Sequence, residues 1–344
     1  MKFIRRTGLL AAAAALALTL SACGGTAESA PASNAAADAA FPVSVKNIYG
    51  TAEIAKKPER VVTISWVNAD AVLALGVVPV GMAEDVWGSN KQGSTDWKDA
   101  KLEELGASIG TEKAPKQYSE ADGVNFTAIA ELEPDVIVAG YSGLTKDEYD
   151  KLSKIAPVVG PVAPSYTAGW QDVTTAVGQA LGKDAEAAAV ITDVESKISA
   201  AGEANPVFKD TSFIAGDLDV VKSEINLYAT GDSRPRLLTA LGMTQAPIVD
   251  ENAKDGEFYF AWAAERANEL DADIFFTSAT AGVDPIKANK LFAQIPAVKK
   301  GGLVGISSDA DVLAISAASP LSVPYAIDKI VPALAAGAQA ATGK

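Results

Sequence analysis

Cys23 is the only cysteine in this 344-residue chain, and its surroundings prescribe its chemistry. It closes the run Leu20-Ser21-Ala22-Cys23-Gly24, behind a basic start (Lys2, Arg5, Arg6) and an apolar stretch from Leu9 to Leu20. That order is the n-region, h-region and small-residue cleavage site of an export signal. A thiol in that register is the acceptor for an acyl chain such as palmitate, and it becomes the first residue after cleavage. The competing reading is an ordinary cleavage beside an incidental cysteine; a unique cysteine in register speaks against it. The apolar stretch is too short to span a bilayer. Residues 1–22 are therefore expected to be a lipoprotein signal peptide. The remainder is expected at the extracytoplasmic face of the cell membrane, anchored through lipid on Cys23.

Histidine is absent altogether, which removes whole classes of chemistry. A Ser-His-Asp or Cys-His nucleophile pair needs it, as do a histidine-containing zinc site and an imidazole general base. No phosphate-binding glycine loop or nucleophile elbow appears either. Carboxylate-only hydrolysis survives in principle, without any motif to carry it. The expectation is a binding protein, not an enzyme, with no cofactor of its own. The charge balance is acidic, 29 Lys and Arg against 43 Asp and Glu. Loss of the leader takes three of those basic residues with it. Such a chain is a poor partner for nucleic acid, whose phosphates need a basic surface. With Cys23 acylated no disulfide is available, so stability must come from packing despite an oxidising location.

The elements that must position any site follow a β/α alternation. Residues 23–40 are small and polar without periodicity and read as a flexible tether, with order beginning near Phe41-Pro42. Strands are expected at 60–65, 77–80, 135–139 and 156–159, interleaved with helices at 69–75, 126–132 and 145–155. Asp135-Val136-Ile137-Val138-Ala139 is the continuous apolar run of a strand covered on both faces. A helical stretch then runs from about 168 to 204, relieved only near Gly182. After Pro206 the pattern restarts: strands at 211–215, 225–230, 273–277 and 303–306, helices at 236–241 and 263–270, and a last helix from Leu321. The fold class is α/β: two Rossmann-like lobes, 41–167 and 205–344, joined by one long helix within 168–204, with a ligand cleft between them.

Four stretches in series resemble the siderophore-type substrate-binding proteins of ABC importers, the class with a single interlobe helix. The first is Lys57-Pro58-Glu59-Arg60-Val61-Val62-Thr63, running on into Asp70–Gly81. The second is Leu132-Glu133-Pro134-Asp135-Val136-Ile137, continued by Tyr149–Val159. The third is Arg236–Gly242, and the fourth is Glu265-Arg266 through Phe275. Trp87-Gly88-Ser89-Asn90 and Gly93-Ser94-Thr95-Asp96-Trp97 are similar to a ferric-siderophore branch of that family. The resemblance implies a monomer that captures an Fe(III)-siderophore chelate and delivers it to an importer permease. It also implies that each lobe presents one acid to the permease. By position these are Asp70, where the family usually has glutamate, and Glu265.

Open α/β sheets bind ligands at the carboxyl ends of their strands. Trp66, Trp87 and Tyr141 follow first-lobe strands and are expected in the cleft. The second-lobe candidates are Arg234 and the cluster Phe258-Tyr259-Phe260-Ala261-Trp262, with Tyr259 and Trp262 foremost in it. Tyr141 and Tyr259 are also the residues whose phenolates could reach iron directly. Trp97 and Trp170 are expected to pack. Arg234 could hold a carboxylate or catecholate oxygen, or it could be tied to Asp232. A single cleft arginine favours hydroxamate or mixed chelates over strongly anionic catecholates. Haem or cobalamin in the same fold, and a non-transport envelope scaffold, remain the alternatives.

Overall fold

The computed structural model describes residues 41–164, 166–254 and 256–343. Cys23, the signal peptide at 1–22 and the tether at 23–40 lie outside the described residues. The first strands, β1 (Val43–Asn47) and β2 (Gly50–Ile54), form an antiparallel hairpin. A five-stranded parallel sheet follows: β3 (Val61–Thr63), β4 (Gly81–Ala83), β5 (Lys116–Tyr118), β6 (Val136–Val138) and β7 (Val158–Val159), in the spatial order β5-β4-β3-β6-β7. Its centre is β3 paired with β6, whose Val136-Ile137-Val138 run is buried at every residue. That is the pattern expected of a strand covered on both faces.

The strand expected at 77–80 lies four residues later. Gly76 ends the preceding helix at φ +73°, and pairing with β3 begins only when the Val80 amide reaches the Val61 carbonyl. At Gly81 a Cβ would come within 2.3 Å of Leu132 Cδ1, so glycine lets that side chain pack directly on the strand. The helical stretch over 168–204 resolves into two helices, Trp170–Leu181 and Asp184–Glu203. Gly182 separates them in the left-handed conformation, φ 65° and ψ 35°, where glycine stops a helix without steric cost. The shorter helix packs on the first lobe. The longer one leaves it and meets the helix Ser233–Ala240 and the short 3₁₀ helix Pro206–Asp210 of the second lobe.

The second sheet has six strands: β8 (Ser212–Asp219), β9 (Glu224–Tyr228), β10 (Thr244–Gln245), β11 (Tyr259–Trp262), β12 (Ile274–Ser278) and β13 (Leu303–Ile306). Its order is β11-β9-β8-β12-β13, with β10 also paired to β8. β8, β12 and β13 are parallel, while β9 and β11 add an antiparallel edge. The helix expected at 263–270 is a 3₁₀ helix, Ala264–Glu269, kinked at Arg266. The last helix, Ser322–Thr342, buries Val323, Ala326, Ile327, Ile330 and Leu334 at helical spacing. One apolar cluster runs from Val45 and Val61 through Val194 and Ile198 to Phe213 and Leu334, crossing from lobe to lobe along the joining helix. A hinge embedded in continuous core is stiff, since packed interiors resist deformation.

Candidate functional site

The cleft is a cavity of about 420 Å³ between the lobes, within the range of small-molecule sites. Its wall in the first lobe comes from segments at the carboxyl ends of β3, β4, β6 and β7: Trp66, Trp87, Tyr141 and Tyr166. The second lobe contributes Asp217 on β8, Tyr228 at the end of β9, then Asp232, Arg234 and Phe258. Ser278 closes β12, and Val312 and Ser316 lie on the helix Asp309–Ser316. Of the residues expected in the cleft, Trp66, Trp87, Tyr141 and Arg234 lie in this wall.

Trp66 is held out by an anchored turn. Ser65 adopts φ 59°, a conformation that costs a non-glycine residue energy and persists only where neighbours enforce it. The Ser65 amide donates to Glu120 Oε2 at 2.9 Å, and Lys98 Nζ donates to the Trp66 carbonyl at 3.2 Å. Burial pushes the Glu120 carboxyl up to about 7, against the pull of the Ser65 amide. The indole then stacks on Tyr166, centroids 6.1 Å apart at 20°. Tyr166 in turn meets Tyr141 at 5.6 Å and Phe258 at 6.4 Å. The Tyr166 ring fits because Gly143 has no Cβ, which would lie 2.8 Å from the phenol oxygen. Across the mouth, Gly88 beside Trp87 touches the other lobe: a Cβ there would fall 2.7 Å from the Asp309 carbonyl oxygen and 2.9 Å from Leu313 Cβ.

Arg234 is both a cleft residue and the partner of Asp232. Its Nε and Nη2 donate to the two carboxylate oxygens at 2.7 and 2.6 Å. Its guanidinium carbon lies 3.4 Å from the Tyr228 ring centroid, a cation–π contact. Asp232 also caps the helix Ser233–Ala240, accepting from the Arg234 amide at 2.8 Å. The Tyr141 hydroxyl donates to the Ser316 carbonyl at 3.2 Å, bridging the lobes. Burial pushes the phenols of Tyr141 and Tyr228 up to about 12. Both therefore hold their protons at neutral pH and serve as walls and donors.

Three of the sequence-derived positions need correction. Tyr259 and Trp262 are not in the cleft. β11 runs antiparallel to β9, starting with Tyr259 opposite Tyr228 at the cleft end and leaving with Trp262 opposite Ile225. Only Phe258, just before the strand, reaches the cavity. Trp262 is buried in the second-lobe core, its Nε1 donating to the Arg266 carbonyl and its ring covered by the Arg266 guanidinium. Tyr259 is exposed on a separate surface groove, so it is no iron ligand in the cleft.

The third correction is Asp70, which is 0% exposed and cannot meet a permease. Its Oδ2 accepts from Trp97 Nε1 at 2.8 Å and from Ser319 Oγ at 2.5 Å, and Lys98 Nζ stands 3.9 Å from Oδ1. Lys98 is equally buried and forms its close ion pair with Asp85. Burial raises the Asp70 carboxyl to about 6 despite Lys98. In sequence Asp70 is an acid in the first turn of a helix, normally a solvated place. Here Ser319, 249 residues away, covers it. Glu265 is exposed. The packing assignment for Trp97 holds: its ring is buried and leans on Tyr325, 5.0 Å between centroids.

Tyr166, Tyr228, Asp217 and Ser316 are wall residues that strand-end reasoning missed. A readable signal existed for Asp217, a carboxylate inside the otherwise apolar run Phe213–Leu218. Among the described residues no group of three or more Cys, Asp or Glu side chains is placed to hold a bare metal ion. The cleft presents ring faces and a guanidinium tethered to Asp232.

Residues 61–310 match the periplasmic binding protein family over most of the chain. The chain belongs to that family. This binding protein is 27% identical over 329 residues to the probable siderophore-binding lipoprotein YfiY of Bacillus subtilis, covering 91% of this chain and 93% of that one. It is also similar in structure to PiaA of Streptococcus pneumoniae TIGR4 solved in complex with ferrichrome. That likeness has a TM-score of 0.79 and 31% identity, over 87% of this chain and 99% of that one. SirA of Staphylococcus aureus, complexed with staphyloferrin B, is similar at a TM-score of 0.66 and 26% identity, over 85% and 98%.

Proposed function

We propose that this binding protein captures a ferric-siderophore chelate outside the cytoplasm and delivers it to the permease of an ABC importer. The aromatic interlobe cavity carries the reading. Its ring faces fit the apolar periphery of an organic chelate, and its site leaves iron coordination to the siderophore's own oxygens. The stiff joining helix suits capture with small lobe movement. A lipid on Cys23 would hold the receptor near its permease and raise its effective concentration there. Glu265, exposed in the first turn of the kinked helix Ala264–Glu269, is the second lobe's docking acid in this reading.

The test is a titration of intrinsic tryptophan fluorescence with ferric hydroxamates, ferric catecholates, ferric citrate, haemin and cobalamin, each with an iron-free or non-binding optical control. Trp66 and Trp87 are both exposed at the cavity and are expected to report. Saturable quenching by one ferric chelate class, lost when both are replaced by Phe, supports the reading. Binding of haemin or cobalamin with silence from every ferric chelate overturns it.

A further inference from the structure

Three charged side chains line the cleft: Asp217, Asp232 and Arg234. The sole cation among them is already committed. Arg234 holds Asp232 with two nitrogens, lies on the Tyr228 ring, and points Nη1 at Ser316 Oγ, 3.4 Å away. To clasp an anionic ligand it would have to release Asp232. That carboxylate has a side chain only 3% exposed, and an unpaired buried charge is strongly unfavourable. Asp217 is in the opposite position. It is half-buried, it reaches the cavity, and no ion pair holds it among the described residues.

We propose that Asp217 makes the cleft a charge filter, admitting ferric chelates that are neutral or carry a cationic arm and turning away anionic ones. This rests on the ferric-siderophore reading above and names the ligand's charge class within it. The surroundings act in the same direction. The buried ammonium of Lys98 stands behind Trp66 and is neutralised by Asp85. Asp309 and Asp311 begin the helix that supplies Val312 and Ser316. The aromatic wall lowers the local dielectric and lengthens the reach of each uncompensated charge, and its ring faces themselves attract cations. An ammonium group on the ligand is the partner this carboxylate lacks.

The experiment compares three chelates on the same protein: ferrioxamine B with its pendant ammonium, neutral ferrichrome, and anionic ferric enterobactin. Each is titrated against the wild type, Asp217→Asn and Asp217→Glu, at low and high salt. Ferrioxamine B and ferrichrome are expected to bind at least about a hundredfold more tightly than ferric enterobactin. The ratio of ferrioxamine B to ferrichrome affinity is expected to fall about five- to tenfold in Asp217→Asn and to be retained in Asp217→Glu. High salt should lower that ratio in the wild type and not in Asp217→Asn. Ferric enterobactin binding as tightly as ferrichrome overturns the filter while leaving the siderophore reading intact. An unchanged ratio in Asp217→Asn, or an equal loss for both chelates, overturns the assignment to Asp217. Silence from all three overturns the filter, and the siderophore reading falls with it only if ferric citrate is silent too.

Discussion

Lys98→Met removes the one cation from a buried cluster and should expose how that cluster is balanced. The side chain is 2% exposed, and its ammonium serves Asp85, the Trp66 carbonyl and, at 3.9 Å, Asp70. Methionine keeps most of the volume, so the loss is electrostatic and not a cavity. In the wild type the Asp70 carboxyl is raised from 3.8 to about 6. A raised carboxyl means the folded state binds the extra proton. Its contribution is therefore fully present below about pH 3.8 and is lost as pH rises through about 6, a swing of roughly 3 kcal/mol. Asp85 is raised in the same direction. Lys98 opposes both shifts, so removing it lifts both carboxyls further and extends the loss above pH 6. Stranding two buried carboxylates should cost about 3–5 kcal/mol near pH 7.5. Near pH 5.5 Asp70 is mostly protonated and Asp85 shifts the same way, so the cost should shrink toward about 1–2 kcal/mol, the scale of lost hydrogen bonds. Glu120, raised from 4.5 to about 7, gives a slope of the same sign, but it is common to both proteins and cancels in the difference. Urea unfolding at the two pH values, followed by fluorescence, measures this. A destabilisation that is equal at both, or larger at the lower pH, would refute the reasoning.

Other substitutions test the cleft and its surroundings. Arg234→Ala strands Asp232 and uncovers Tyr228; chelate affinity should fall at least about tenfold, and equilibrium dialysis showing full affinity would contradict the assigned role. Gly88→Val places a Cβ against the Asp309 carbonyl at a backbone φ of +66°, so the Trp87 loop must lift and affinity should drop about tenfold or more, chiefly through faster release in stopped-flow displacement. Glu265→Lys should leave folding and ligand binding unchanged while abolishing uptake in cells, whereas Asp70→Lys should fail to fold. An Asp70→Lys protein with a native melting profile would contradict the burial of that site.

Some of this protein was legible in local sequence because local physics decided it. Val136-Ile137-Val138, β-branched throughout and bounded by Pro134-Asp135, reads as a covered strand from its own residues, and Gly182 stops a helix through its own backbone freedom. The order of such segments fixes a parallel α/β architecture with its ligand end at the strand termini, and Trp66, Trp87, Tyr141 and Arg234 follow from that rule alone. The absence of histidine excludes imidazole chemistry without any structure. The resemblance to importer receptors was likewise carried by short runs in order along the chain.

What tertiary structure decided are the properties that depend on partners distant in sequence. Asp70 reads as a solvated helix acid until Ser319 and Trp97 close over it. The aromatic run at 258–262 reads as one cluster, yet antiparallel pairing with β9 sends Phe258 to the cleft, Tyr259 to the surface and Trp262 to the core. Arg234 reads either as a ligand contact or as the partner of neighbouring Asp232; the fold ties it to Asp232 and brings Asp217, distant in sequence, into the same cavity without an ion pair. Residue type sets which charges exist. Burial and pairing set which remain available to a ligand, and those arise from contacts between segments that no local pattern connects.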